Sequence, residues 1–152
     1  MARSGNTSGG EDPFDLRRFV EAQEEDFSTA LAEIRAGRKR SHWMWYIFPQ
    51  IEGLGFSSMS QKYAIKSLDE AKAYLRHEVL GPRLVRCFVS LLELDGKSAH
   101  DIFGSPDDVK LRSCATLFAH ASPANSVFQQ VLNKYFGGDA DAATLRLLSR
   151  GD

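Results

Sequence analysis

With 152 residues, 43% of them hydrophobic and 26% charged, the chain is long enough to build a core without disulfides or metals. Its formal net charge of −1 argues against a role in coating nucleic acid, which draws on a basic excess. No apolar run approaches the length of a bilayer span, which excludes a transmembrane helix.

Residues 1–12 carry few apolar side chains and read as a disordered tail, with a domain over 13–152. Asp15 is the candidate cap of the first helix. Leu16, Phe19 and Val20, then Phe27, Ala30, Leu31 and Ile34, recur at helical spacing. They predict one long helix or two in series, ended by Gly37. Ser41–Gln50 (SHWMWYIFPQ) is short and almost uniformly apolar, so its period does not separate a strand from a buried helical turn. A glycine loop follows, with a helix start at Ser58 or Ser60. Ser67 to Glu70 has the spacing of a capping box. Gly81-Pro82 opens the next helix, whose stripe is Leu84, Phe88, Leu91 and Leu92. Ser105-Pro106-Asp107-Asp108 and Ser122-Pro123 read as two more starts. Gly137-Gly138 ends a helix, and Asp141 caps a last short one.

About seven or eight helices result. Strand alternation is missing, and the single Asp-Gly pair, Asp95-Gly96, follows a helix. The fold class is therefore all-α, a compact and irregular multi-helix domain. Cys87 and Cys114 both lie in apolar helical patterns and read as buried, reduced thiols, with a disulfide between them left open. The first residues lack the apolar stretch of a signal peptide, so a cytoplasmic setting is expected.

Chemistry concentrates in two places. Ser41–Tyr63 holds both tryptophans with Tyr46, Phe48, Phe56 and Tyr63. Most such rings fill cores, but Trp43, Trp45 and Tyr46 have polar edges that suit the wall of a pocket for a flat ring. The loop Gly53-Leu54-Gly55-Phe56-Ser57-Ser58 precedes a helix start, where backbone N–H groups favour an anion. It lacks both the third glycine of a dinucleotide fingerprint and the Gly-Lys-Ser/Thr of a P-loop. The second place is the helix expected over 106–121. Its apolar arc runs through Leu111, Cys114, Ala115, Leu117 and Phe118, with Lys110 at the edge and Ser113, Thr116 and His120 on the other side. Such an ammonium must snorkel, pair or meet a ligand, and Asp108 is the candidate partner. His42 is the first candidate for proton transfer.

The expected pocket is thus lined by Trp43, Trp45, Tyr46, Gln50, Gly53, Gly55, Ser57, Ser58 and Tyr63, with Lys110, its partner Asp108 and Arg83. Its ligand would be small, anionic and nucleotide-like, bound or turned over. The alternative is a protein-interaction module without a ligand. Nucleic-acid binding through Arg35, Arg38, Lys39 and Arg40 is the weakest reading. No histidine or cysteine pair has metal-ligand spacing, and nothing calls for a cofactor.

At these residues the chain resembles a bacterial family, domain of unknown function 1810. The likeness runs over about residues 13 to 149 and is carried by His42 to Gln50, Gly53-Leu54-Gly55 with Ser57 to Tyr63, Leu80 to Leu84, Asp101 to Gly104 and Asp107 to Leu111. Thr116 to Phe118 and Phe128 to Leu132 are also alike. The resemblance implies a compact all-α fold and no established activity, and it brings no catalytic residues. Some members carry the label calpastatin, although calpastatins are long, disordered and repetitive, unlike the packed-helix pattern here.

Overall fold

The computed structural model describes residues 12–150. The expected tail therefore lies outside the described residues except for Asp12. Nine helices form the described chain, and no strand is present among those residues. They are α1 (Arg17–Ala36), α2 (Met44–Ile47), α3 (Ser58–Lys62), α4 (Leu68–Arg76), α5 (Leu80–Glu93), α6 (Ala99–Phe103), α7 (Asp107–His120), α8 (Val127–Phe136) and α9 (Ala142–Arg150). The all-α class holds. The expected count was low because the short α6 carries no apolar period of its own. It is recognisable only by its capping box, in which Ser98 and Asp101 satisfy each other's backbone N–H.

α1 is one continuous helix. Phe19, Gln23, Ala30, Leu31 and Ile34 are its buried residues, and left-handed Gly37 closes it. Asp12, not Asp15, caps its start: the carboxylate accepts from Leu16 N and Arg17 N at 2.8 and 2.9 Å. Asp15 instead has a positive φ of 54° and offers its carbonyl to Arg18. Ser41–Gln50 resolves into a single helical turn, α2. The start expected at Ser122-Pro123 lies further on, where Ser126 accepts from Gln129 N and opens α8. Ser67 does accept from Glu70 N, but the Glu70 carboxylate turns to Lys66 N and to Arg18 instead of closing the box.

α7 and α5 are the central helices. α7 packs against α4, α6, α8 and α9, while α5 packs against α1, α4 and α8. Ser113 and Thr116, expected on the outer side of α7, are therefore buried. Each donates its hydroxyl to a carbonyl one turn back, and Thr116 also accepts from Asp141 N. Rings fill the centre edge to face: Phe88 meets Phe128 at 4.7 Å and Phe48 at 5.5 Å. Each such pair adds about 1 kcal/mol beyond its burial. Arg18 then fastens α1 to the chain before α4. It pairs with buried Glu70 at 2.9 Å and donates to the carbonyls of Phe14, Asp15, Lys62 and Ala64. That staple sets the position of Tyr63 and Ala64, one side of a sizeable hollow.

Candidate functional site

The single turn of α2 sorts its neighbours by angle. At about 100° per residue, Trp43, Met44, Tyr46 and Ile47 face inward, and Trp45 alone is left half-buried. Below it the chain reverses. Ile65 N donates to Gln50 O and Glu52 N donates to Ile65 O, both at 2.8 Å, so Ile51 and Ile65 pair as one parallel bridge. Gly53 then takes a φ of 105°, where a side chain is strained, and packs on Leu147. A Cβ on Gly55 would stand 2.8 Å from Ser60 Oγ. Both glycines are thus required by the loop's own sterics.

This loop, Trp45, Tyr63, the first half of α7 and the start of α9 enclose a hollow of about 450 Å³. That volume suits a small organic ligand. Trp45, Gln50, Gly53, Gly55, Ser57, Tyr63 and Lys110 all line it. Two stretches of chain that are far apart in sequence therefore meet there.

Lys110 is one end of a charged row. Its Nζ lies 4.9 Å from the centre of the Trp45 ring and 3.4 Å from Asp107 Oδ1. The other oxygen of Asp107 pairs with Lys39 at 2.9 Å, and Lys39 Nζ stands 5.0 Å from the centre of the Trp43 ring. One carboxylate is shared between two ammonium groups, which leaves a net positive charge. Lys39 is the buried end, also donating to Ser41 O, and its side chain is 8% exposed against 25% for Lys110.

The other expected residues lie elsewhere. His42 is exposed, outside the hollow. Trp43 is buried, and its indole N–H donates to Glu33 at 2.9 Å. Tyr46 is buried and donates to Asp26. Burial and the nearby Asp26 carboxylate both push the Tyr46 phenol up from its ordinary value. Arg83 sits on α5 against α1, near Glu24 at 3.5 Å, Gln23 Oε1 at 3.3 Å and the Phe27 ring. Asp108 accepts from Val109 N and lies 3.5 Å from His100, so it is Asp107 that holds Lys110. Ser58 opens α3 but does not line the hollow. The expected anion cradle at α3 is also weaker than its sequence suggests. The helix has five residues, and Ser57 Oγ already accepts from Ser60 N.

Sequence reasoning missed Phe56, Ser60, Gln61, Val109, Glu52 and Asp141, all of which line the hollow. The three-residue step from Asp107 to Lys110 was a usable signal for that pair. A phenylalanine set among glycines and serines was another. Asp141 is legible as the cap of α9, where its carboxylate accepts from Thr144 N, but nothing local marks it as lining the hollow.

A family model described as "Protein of unknown function (DUF1810)" matches residues 13–148. The chain belongs to this family. The crystal structure of the conserved hypothetical protein Rv1873 from Mycobacterium tuberculosis is similar to this DUF1810 chain, with a TM-score of 0.89 and 52% identity. The likeness covers 91% of this chain and 99% of that one. No curated protein matches the chain. Within this DUF1810 protein, no described helix is long and apolar enough to cross a membrane. Among the described residues no three His, Cys, Asp or Glu side chains gather closely enough to hold a metal ion.

Proposed function

We propose that this protein binds a small anionic ligand with a flat ring, nucleotide-like in size, in the hollow between α2, the Gly53–Ser57 loop and α7. The observation that carries the reading is Lys110, held over Trp45 at the wall of that hollow and sharing its one carboxylate partner among the described residues with Lys39. An ammonium short of countercharge beside an apolar wall favours an incoming anion. Trp45, Tyr63, Gln50, Gly53, Gly55 and Ser57 supply the surrounding surface. His42, the residue expected to transfer a proton, does not line the hollow, so the reading is stated as binding. The same reading sets the chain as one domain in a bacterial cytoplasm. Its two cysteines are free and buried there, and burial pushes the Cys87 thiol up to about 12, far from thiolate chemistry.

A thermal-shift screen of nucleosides, nucleotides and sugar phosphates tests this. At a hundredfold excess over Kd a bound ligand adds about 2.7 kcal/mol, a rise of several degrees in Tm. The expected outcome is a shift for wild type that is lost in Lys110→Ala and Trp45→Ala. A screen with no shift, or equal shifts in the variants, overturns it.

A second reading, a protein-interaction surface, is favoured by the apolar side chains Phe56, Val109 and Met59, which are 84%, 53% and 37% exposed. It predicts an empty ligand screen. It also predicts a co-purifying partner that is lost in Phe56→Asp and kept in Lys110→Ala.

A further inference from the structure

Every ring at the hollow except one already contacts a cation or another ring. Trp45 has the Lys110 ammonium over its ring. Tyr63 is wedged between Phe19 and Tyr46, at 5.8 and 5.3 Å, and is 7% exposed. Phe56 also lines the hollow, yet it is 84% exposed and stacks on no other described ring. A phenylalanine left in water is unfavourable, and an accidental one usually sits on a loose loop. This loop is anchored. Phe56 O accepts from Gln61 Nε2 at 2.8 Å, the next residue caps α3, and the glycine before it is pressed against Ser60. The ring is therefore presented from a fixed backbone at the mouth of the hollow.

Charge narrows the ligand further. The titratable lining residues are Lys110, Glu52, Asp141 and Tyr63. Lys110 is the one cation against two carboxylates, and Asp107 already shares its charge. A ligand with one acidic group can meet Lys110, whereas a polyphosphate would crowd further negative charge against Glu52 and Asp141. Gln50 and Gln61 offer amide groups to the edge of a heterocycle.

We infer that Phe56, a residue outside the expected site, is the stacking platform of the hollow, and that its ligand carries one planar ring and a single acidic group that meets Lys110. This rests on the binding reading above and specifies it.

Isothermal titration with three probes tests it: adenosine monophosphate, adenosine triphosphate and ribose 5-phosphate. Wild type binds the monophosphate more tightly than the triphosphate. Phe56→Ala weakens the monophosphate about tenfold, the size of one lost base–aromatic stack, and leaves ribose 5-phosphate unchanged. Phe56→Tyr keeps wild-type affinity, and Lys110→Ala weakens the monophosphate and ribose 5-phosphate together. Because Phe56 is exposed, its variants melt as wild type does, which separates lost stacking from lost folding. If Phe56→Ala binds the monophosphate as wild type does while Lys110→Ala does not, the platform is wrong and the pocket stands. A triphosphate preference overturns the single-acid assignment. If wild type binds none of the three probes, the binding reading fails and this inference falls with it.

Discussion

The molecule builds the same contact twice, two residues apart, and uses it in opposite ways. Lys39 lies over Trp43 and Lys110 over Trp45, at 5.0 and 4.9 Å, and both lysines reach the same Asp107. At Trp43 the polar edge of the ring is satisfied. The indole N–H donates to Glu33, and the Glu33 carboxylate also accepts from Arg40 N, Ser41 N and Ser41 Oγ. Trp43 itself is 1% exposed. At Trp45 the ring is half-buried, and its indole N–H meets no acceptor among the described residues. A saturated contact adds to folding, while an unsaturated one beside a hollow is available to a ligand. The pair separates structural from functional chemistry within one short segment.

The contrast is broken most directly by truncating the rings. Trp43→Ala should cost about 4 kcal/mol, since it removes a fully buried indole together with its hydrogen bond to Glu33. Trp45→Ala should cost about 1 kcal/mol, since its ring is only partly buried. Urea unfolding of the two variants reads the difference, and equal losses would mean that the hollow is merely another part of the core.

The lysines sharpen the same point. Lys39→Ala removes a buried partner of Asp107 together with the bond to Ser41 O, and should cost about 3 kcal/mol. Lys110→Ala removes a more exposed cation and should stay within about 0.5 kcal/mol of wild type. A Lys110→Ala variant as unstable as Lys39→Ala would make Lys110 a structural residue.

The smallest of the three effects, and the one that depends on pH, is at Glu33. Burial works against its charge. The hydrogen bonds from Ser41, Arg40 and Trp43 outweigh that and hold the carboxyl at about 2, below its ordinary 4.5. Charge at Glu33 therefore favours the folded state. Its contribution is complete above pH 4.5 and is lost as pH falls towards 2. Glu33→Gln should lose about 1 kcal/mol near neutral pH, since solvent screens a partly exposed carboxylate, and show a flatter acid limb in stability–pH curves. An acid limb as steep as that of wild type would place the titration elsewhere.

Local patterns in the amino-acid order were enough for the all-α class and for most helix ends. Gly37, Ser67 and Asp141 act through bonds to backbone only a few residues away, and the stripes of α1 and α5 follow from the helical repeat. They also marked the two segments that meet at the hollow. They did not settle which members of those segments face it. The direction of a side chain on a one-turn helix such as α2 depends on what that turn packs against, and a residue such as Arg83 is claimed by whichever helix lies beside it. Only the tertiary structure sent Trp43 and Tyr46 to Glu33 and Asp26 and left Trp45 at the wall. It alone brought Phe56 and Asp141 to the same hollow, because the contacts that do so span long stretches of chain and leave no periodic trace in it.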